Sequence, residues 1–226
     1  MFHWHSNLAS GKAVTVFGVN GSIDASRSSD GEVHVEATKS GPAADRVEVA
    51  VSESGDGVLV CAAPIGQKAT KDSCKDSALP KDVRVDFKLQ IPAGVSFVAH
   101  NVNGTVTANS LLSRVEATTV KGDINISTHD TITSVQTESG SLDLAVGKLW
   151  TGLLTIKTNS GNIRLKLPRN VAFQPSGKGN TVITGSGPVQ LKGLAVAKND
   201  SLKTGPAAPE LEISTLHGNV TISTED

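Results

Sequence analysis

Cys61 and Cys74 are the two cysteines of this 226-residue chain, and they lie in a polar stretch rich in Lys and Asp. Neither has a neighbouring His, so the pattern offers neither an activated nucleophile nor a thiolate metal site. The pair can close a disulfide or stand as two free thiols. A disulfide across so short a loop would contribute about 3 kcal/mol in the chain-entropy description. It would also place the protein in an oxidising compartment: periplasm, cell surface or medium. His3 and His5 could chelate a metal together with the amino terminus, although two exposed histidines near a chain end are more often inert. His34, His100, His129 and His217 are scattered without zinc spacing.

Carboxylates are the other group to consider, because polysaccharide-cleaving β-helices need a cluster of them with a basic partner on one outer face. Asp24, Asp143 and Arg164 share one polar column of the repeat described below, where Asp143 and Arg164 read as a surface ion pair. Gly185-Ser186-Gly187-Pro188 reads as a turn rather than a phosphate loop or nucleophile elbow, since Pro188 lacks a needed N–H. Asn103-Gly104-Thr105 and Asn219-Val220-Thr221 match glycosylation acceptors but coincide with the repeat. No catalytic, cofactor-binding or metal residue is therefore expected.

The elements that would position these residues follow from a glycine-centred repeat. Val19-Asn20-Gly21-Ser22-Ile23, Val102-Asn103-Gly104-Thr105-Val106 and Val120-Lys121-Gly122-Asp123-Ile124 are successive copies. Glu138-Ser139-Gly140-Ser141-Leu142, Asn159-Ser160-Gly161-Asn162-Ile163 and Leu216-His217-Gly218-Asn219-Val220 continue the series. From Gly104 onward the central copies are 18, 18 and 21 residues apart. A further copy is expected at Gly179-Asn180-Thr181-Val182, with Asn180 in the glycine slot, because Asn tolerates positive φ best among other residues.

Two and four residues after each glycine the columns are apolar (Ile124 and Ile126, Leu142 and Leu144), and the position between them is polar. That alternation is a half-buried strand. Five before, the column is again apolar, from Val16 to Ile213. The step of seven between the flanking apolar columns would send them to opposite faces of a straight strand. A bend at Gly21, Gly104, Gly122, Gly140, Gly161, Asn180 and Gly218 returns both to one interior. The expected fold is all-β, a single-stranded β-helix-like β-solenoid with about 18–21 residues per coil and stacked apolar columns. Thr119, Thr137, Thr158 and Thr215, three before the glycine, are expected to form hydrogen-bonded ladders. A sandwich of hairpins is the rival. Residues 1–95 carry one repeat copy and the Cys61–Cys74 loop and are expected to continue or cap the stack. Residues 96–226 carry the repeats.

Composition narrows the function. The 21 Lys+Arg against 22 Asp+Glu leave no field to attract nucleic acid or anionic lipid. Aromatics at 3%, with no Tyr, disfavour base- or sugar-stacking platforms. No apolar run is long enough to span a membrane as a helix. The start, Met1-Phe2-His3-Trp4-His5, is too polar for a signal peptide, so a removed leader or anchor is expected.

Taken in order, several segments resemble the bacterial putative-adhesin family of β-strand-repeat proteins. They are Phe2, Trp4, Leu8 and Gly11, then Gly18-Val19-Asn20-Gly21, Val58-Leu59-Val60-Cys61, Asp82-Val83-Arg84-Val85 and Ile91-Pro92-Ala93-Gly94-Val95, with the Thr-x-x-Gly-x-apolar-x-apolar repeat. The resemblance implies an exported or envelope-attached β-solenoid without catalytic residues. The function expected is a non-enzymatic, adhesin-like binding or structural module contacting an unknown protein or glycan at the cell surface. Its outer polar column, Ser22, Thr105, Asp123, Ser141, Asn162 and Asn219, would make the contact. The alternatives are a β-helix carbohydrate-active enzyme and the sensor domain of an envelope-stress regulatory system.

Overall fold

The computed structural model describes residues 1–75, 79–148, 153–168, 182–184, 189–192 and 210–224. Asn180, Gly185-Ser186-Gly187-Pro188 and the Pro/Gly-rich tract 205–209 lie outside the described residues. The first strands are β1 (Phe2–Ser6), β2 (Ala13–Phe17), β3 (Ile23–Arg27), β4 (Val33–Ser40), β5 (Val47–Ser54) and β6 (Gly57–Pro64). A five-residue helix α1 (Lys71–Lys75) precedes β7 (Arg84–Ile91). Next come β8 (Ser96–His100), β9 (Val106–Leu111), β10 (Val115–Lys121), β11 (Ile124–Thr128), β12 (Ile132–Ser139) and β13 (Leu142–Val146). The chain continues through β14 (Leu153–Ser160), β15 (Ile163–Leu167), β16 (Val182–Thr184), β17 (Val189–Lys192), β18 (Glu210–His217) and β19 (Val220–Thr224).

These strands make two mixed sheets. The first has ten strands in the order β1-β4-β7-β3-β9-β11-β13-β15-β19-β17, and the second has nine, β16-β18-β14-β12-β10-β8-β2-β6-β5. Consecutive strands alternate between the sheets across each glycine, so β10 passes through Gly122 into β11 and β12 through Gly140 into β13. The same columns meet in register: Val106, Ile124, Leu142, Ile163 and Val220 pair successively in the first sheet. Ala99, Ala117, Val135, Ile156 and Ile213 do so in the second. All ten are fully or almost fully buried, and they form one continuous core between the sheets. The odd step of seven is absorbed at the corner, where Gly104, Gly122, Gly140 and Gly161 have φ between 134° and 154°.

The threonine column has a different partner from the one expected. Thr119, Thr137, Thr158 and Thr215 do not bond to one another. Each hydroxyl donates to the carbonyl of the corner glycine one unit away, at 3.3, 3.2, 3.0 and 3.0 Å for Gly104, Gly122, Gly140 and Gly161. Asn101 fills the same position and donates to Gly21 O at 2.8 Å. The bend turns each glycine carbonyl toward the interior, and a donor at this position satisfies it. Thr158→Val, which keeps shape but removes the donor at a residue 2% exposed, should cost about 1–2 kcal/mol in denaturant titration. Thr158→Ser should cost less, because it keeps the hydroxyl.

Stacking does not follow chain order. Between the copies at Gly161 and Gly218 the sequence suggests an intervening coil, yet β18 and β19 lie directly on β14 and β15. β16 and β17, three and four residues long, pair on the far side. Residues 210–224 carry the full set of repeat columns (Ile213, Thr215, Gly218, Val220, Ile222) and so match the Gly161 unit. At the other end β2 and β3 are flanked by β6 and β7 on one side and β8 and β9 on the other. The antiparallel strands β4, β1 and β5 lie outermost there.

Candidate binding face

The 19-residue connection 65–83 replaces a glycine corner between β6 and β7. Its residues Ala69 and Cys74 pack on the outer side of the second sheet, where Cys61 and Cys74 are joined in a disulfide with Cα atoms 5.6 Å apart. Cys61, Ala63, Ala69 and Cys74 make a small second core there, with Phe17, Ala50 and Leu59 packed against it. β6 is thereby buried on both faces. The signal for this is the unbroken apolar run Val58-Leu59-Val60-Cys61-Ala62-Ala63, which alternation alone passes over. Beside it His100 stacks on Phe17 at 4.7 Å and shares a 2.7 Å hydrogen bond with Thr118 Oγ1. Burial pushes this imidazole down from its ordinary value despite the pull of Glu116.

The outer side of the first sheet carries a polar row aligned by strand register. From the β1 edge it runs His3, Glu36, Lys88 and Asp24. It continues through Thr107, Asn125, Asp143, Arg164 and Thr221. Nine strands at about 4.8 Å spacing give a track of about 38 Å along the sheet. Asp143 and Arg164 meet at 3.7 Å, both about half exposed.

The column one residue after each glycine plays another part. Side-chain oxygens there accept from backbone N–H groups of the next unit: Asp123 Oδ1 from Ser141 N at 2.7 Å, Ser141 Oγ from Asn162 N at 3.2 Å, and Asn162 Oδ1 from Asn219 N at 3.0 Å. Asp86 Oδ1 accepts from Ser22 N at 2.7 Å in the same way. Three of the six side chains expected to meet a partner, Asp123, Ser141 and Asn162, are thus engaged in joining units along the corner.

Two carboxylates of this face converge on Ser22. Ser22 Oγ lies 3.0 Å from Asp24 Oδ2 and 3.1 Å from Asp86 Oδ1, and Arg84 grips both oxygens of Asp86 at 2.8 and 2.6 Å. Sequence reasoning missed Asp86 because no glycine marks its unit. Burial pushes the Asp86 carboxyl up, but Arg84 and the Ser22 donors outweigh it and hold the group below its ordinary value. A general acid needs the opposite shift. The arrangement keeps Asp86 ionised as a corner acceptor. Asp24 and Asp143, three strand steps apart in the first sheet, are separated by about 14 Å.

No family model matches the sequence, and no curated protein does. Among solved structures, the chain is similar to a putative cell adhesion protein from Clostridium sporogenes, at 11% identity over 99% of each chain and a TM-score of 0.46. It is similar to a putative adhesin from Bacteroides fragilis at 14% identity, covering 99% of this chain and 96% of that one, with a TM-score of 0.31. A putative adhesin from Parabacteroides merdae gives 13% identity, 100% and 96% coverage and a TM-score of 0.30.

Proposed function

We propose that the chain is a β-solenoid serving as a non-enzymatic, adhesin-like binding module, exported to the periplasm, the bacterial surface or the medium. Residues 1–95 close one end of the stack through β1, β4 and β5, and residues 96–226 carry the repeating coils. The observation that carries this reading is the in-register polar row along the outer side of the first sheet. A face held by in-register strand ladders on a packed core binds with little ordering cost, which suits shape-based polar contact with an extended glycan or protein chain. The Cys61–Cys74 pair favours an oxidising compartment.

The test is binding of the purified chain to a glycan array and to intact bacterial cells, with Thr107→Arg/Asn125→Arg as the altered face. Both side chains point outward, so the double variant should keep its unfolding midpoint and lose at least tenfold in binding. Undiminished binding by that variant would move the contact elsewhere on the molecule. Cleavage of the arrayed glycans would replace the binding module with an enzyme.

A further inference from the structure

The outer edge of the first sheet gathers three of the chain's six histidines. His3 and His5 alternate on β1, and the antiparallel register sets them opposite Glu36 and His34 on β4. The His5 and His34 rings stack with centroids 6.0 Å apart, and His3 Nδ1 lies 3.6 Å from Glu36. At the β3–β4 turn, Asp30 Oδ2 lies 2.7 Å from His34 Nε2. Asp30, Glu32 and His34 each offer a ligand atom, all within 4.8 Å of one another. Asp30 is held in place by the Ser28 hydroxyl at 2.7 Å and Glu32 N at 3.1 Å. Those two donors keep the carboxylate aimed without rearrangement.

We propose that Asp30, Glu32, His34 and His5 bind one divalent transition-metal ion of the zinc class. Two imidazoles with two carboxylates make a borderline nitrogen and oxygen set that suits Zn²⁺ and its neighbours better than Mg²⁺ or Ca²⁺, which take oxygen. The ion takes the place of the hydrogen bond between His34 and Asp30, with Glu32 already in reach, and His5 turns its ring from the stack on His34 to complete the set. His5 belongs to the edge strand and the other three ligands to β4 and its turn, so the bound ion ties β1 to the sheet. Sequence spacing shows Asp30, Glu32 and His34 at alternate positions but hides His5, which reaches His34 only through strand pairing.

Titration calorimetry of the full chain with zinc chloride should show one ion bound with micromolar affinity. His34→Ala and Asp30→Asn should each weaken it at least tenfold, His5→Ala several-fold, and His217→Ala on a distant corner not at all. Zinc should also slow amide exchange in β1 of the native chain, a readout independent of any variant's folding. Binding that needs millimolar zinc, wild-type affinity in His34→Ala or in Asp30→Asn, or unchanged β1 exchange would each overturn the site.

Discussion

Gly140→Ala should destabilise the protein by more than about 3 kcal/mol, whereas Gly31→Ala should cost only about 1 kcal/mol. Both glycines have positive φ, 154° and 84°, so both substitutions meet backbone strain. The difference lies in what surrounds them. A Cβ at Gly140 would stand 2.0 Å from Gly122 O, while at Gly31 nothing lies within 4 Å. The crowding recurs at each stacked corner: Gly104 against Gly21 O, Gly122 against Gly104 O, Gly161 against Gly140 O. At Gly218, whose φ lies outside the left-handed region, a Cβ would still come within 1.9 Å of Gly161 O. Space alone should therefore make Gly218→Ala costly. Equal denaturation midpoints for the Gly31 and Gly140 variants would show that φ, and not close stacking, sets the requirement.

Leu142→Asp should unfold the protein or cost about 4 kcal/mol or more, while Asp143→Ala one residue on should change stability by less than about 0.5 kcal/mol. Leu142 is 1% exposed and pairs with Ile124 on one side and Ile163 on the other. An aspartate there buries an unpaired charge in the centre of the core. Asp143 points outward to its 3.7 Å pair with Arg164, about half exposed and screened by water. Circular dichroism with urea titration reads both variants. A folded Leu142→Asp protein of near-native midpoint would contradict a shared interior.

The columns were legible because the repeat fixes each residue's relation to its corner. Ile124 over Leu142, and Ala117 over Val135, follow from spacing once the glycine is taken as a bend. The partner of Thr158 was not legible, since the same periodicity fits a hydroxyl ladder and a bond to the neighbouring glycine carbonyl. Ser141 and Asn162 likewise look like free surface groups in sequence, and only the closeness of adjacent units engages them with backbone N–H groups. The Arg84–Asp86–Ser22 contact and the approach of His5 to His34 join segments far apart in sequence, which no local pattern encodes. Periodicity also leaves the order of stacking open, because each copy is chemically able to sit on several others.

The stacking order bears on how the chain is made. As it leaves the ribosome, β16 and β17 emerge before β18 and β19, the strands they pair with, and the top of β14 and β15 is vacant during that interval. The N-terminal end has a similar delay, since β3 waits for β7 and β9 to arrive on either side of it. Growth by simple addition of each new rung to the last is thus barred at both ends. Slow translation through the final residues would prolong the life of an open β14 edge, the surface most able to recruit a neighbouring nascent chain.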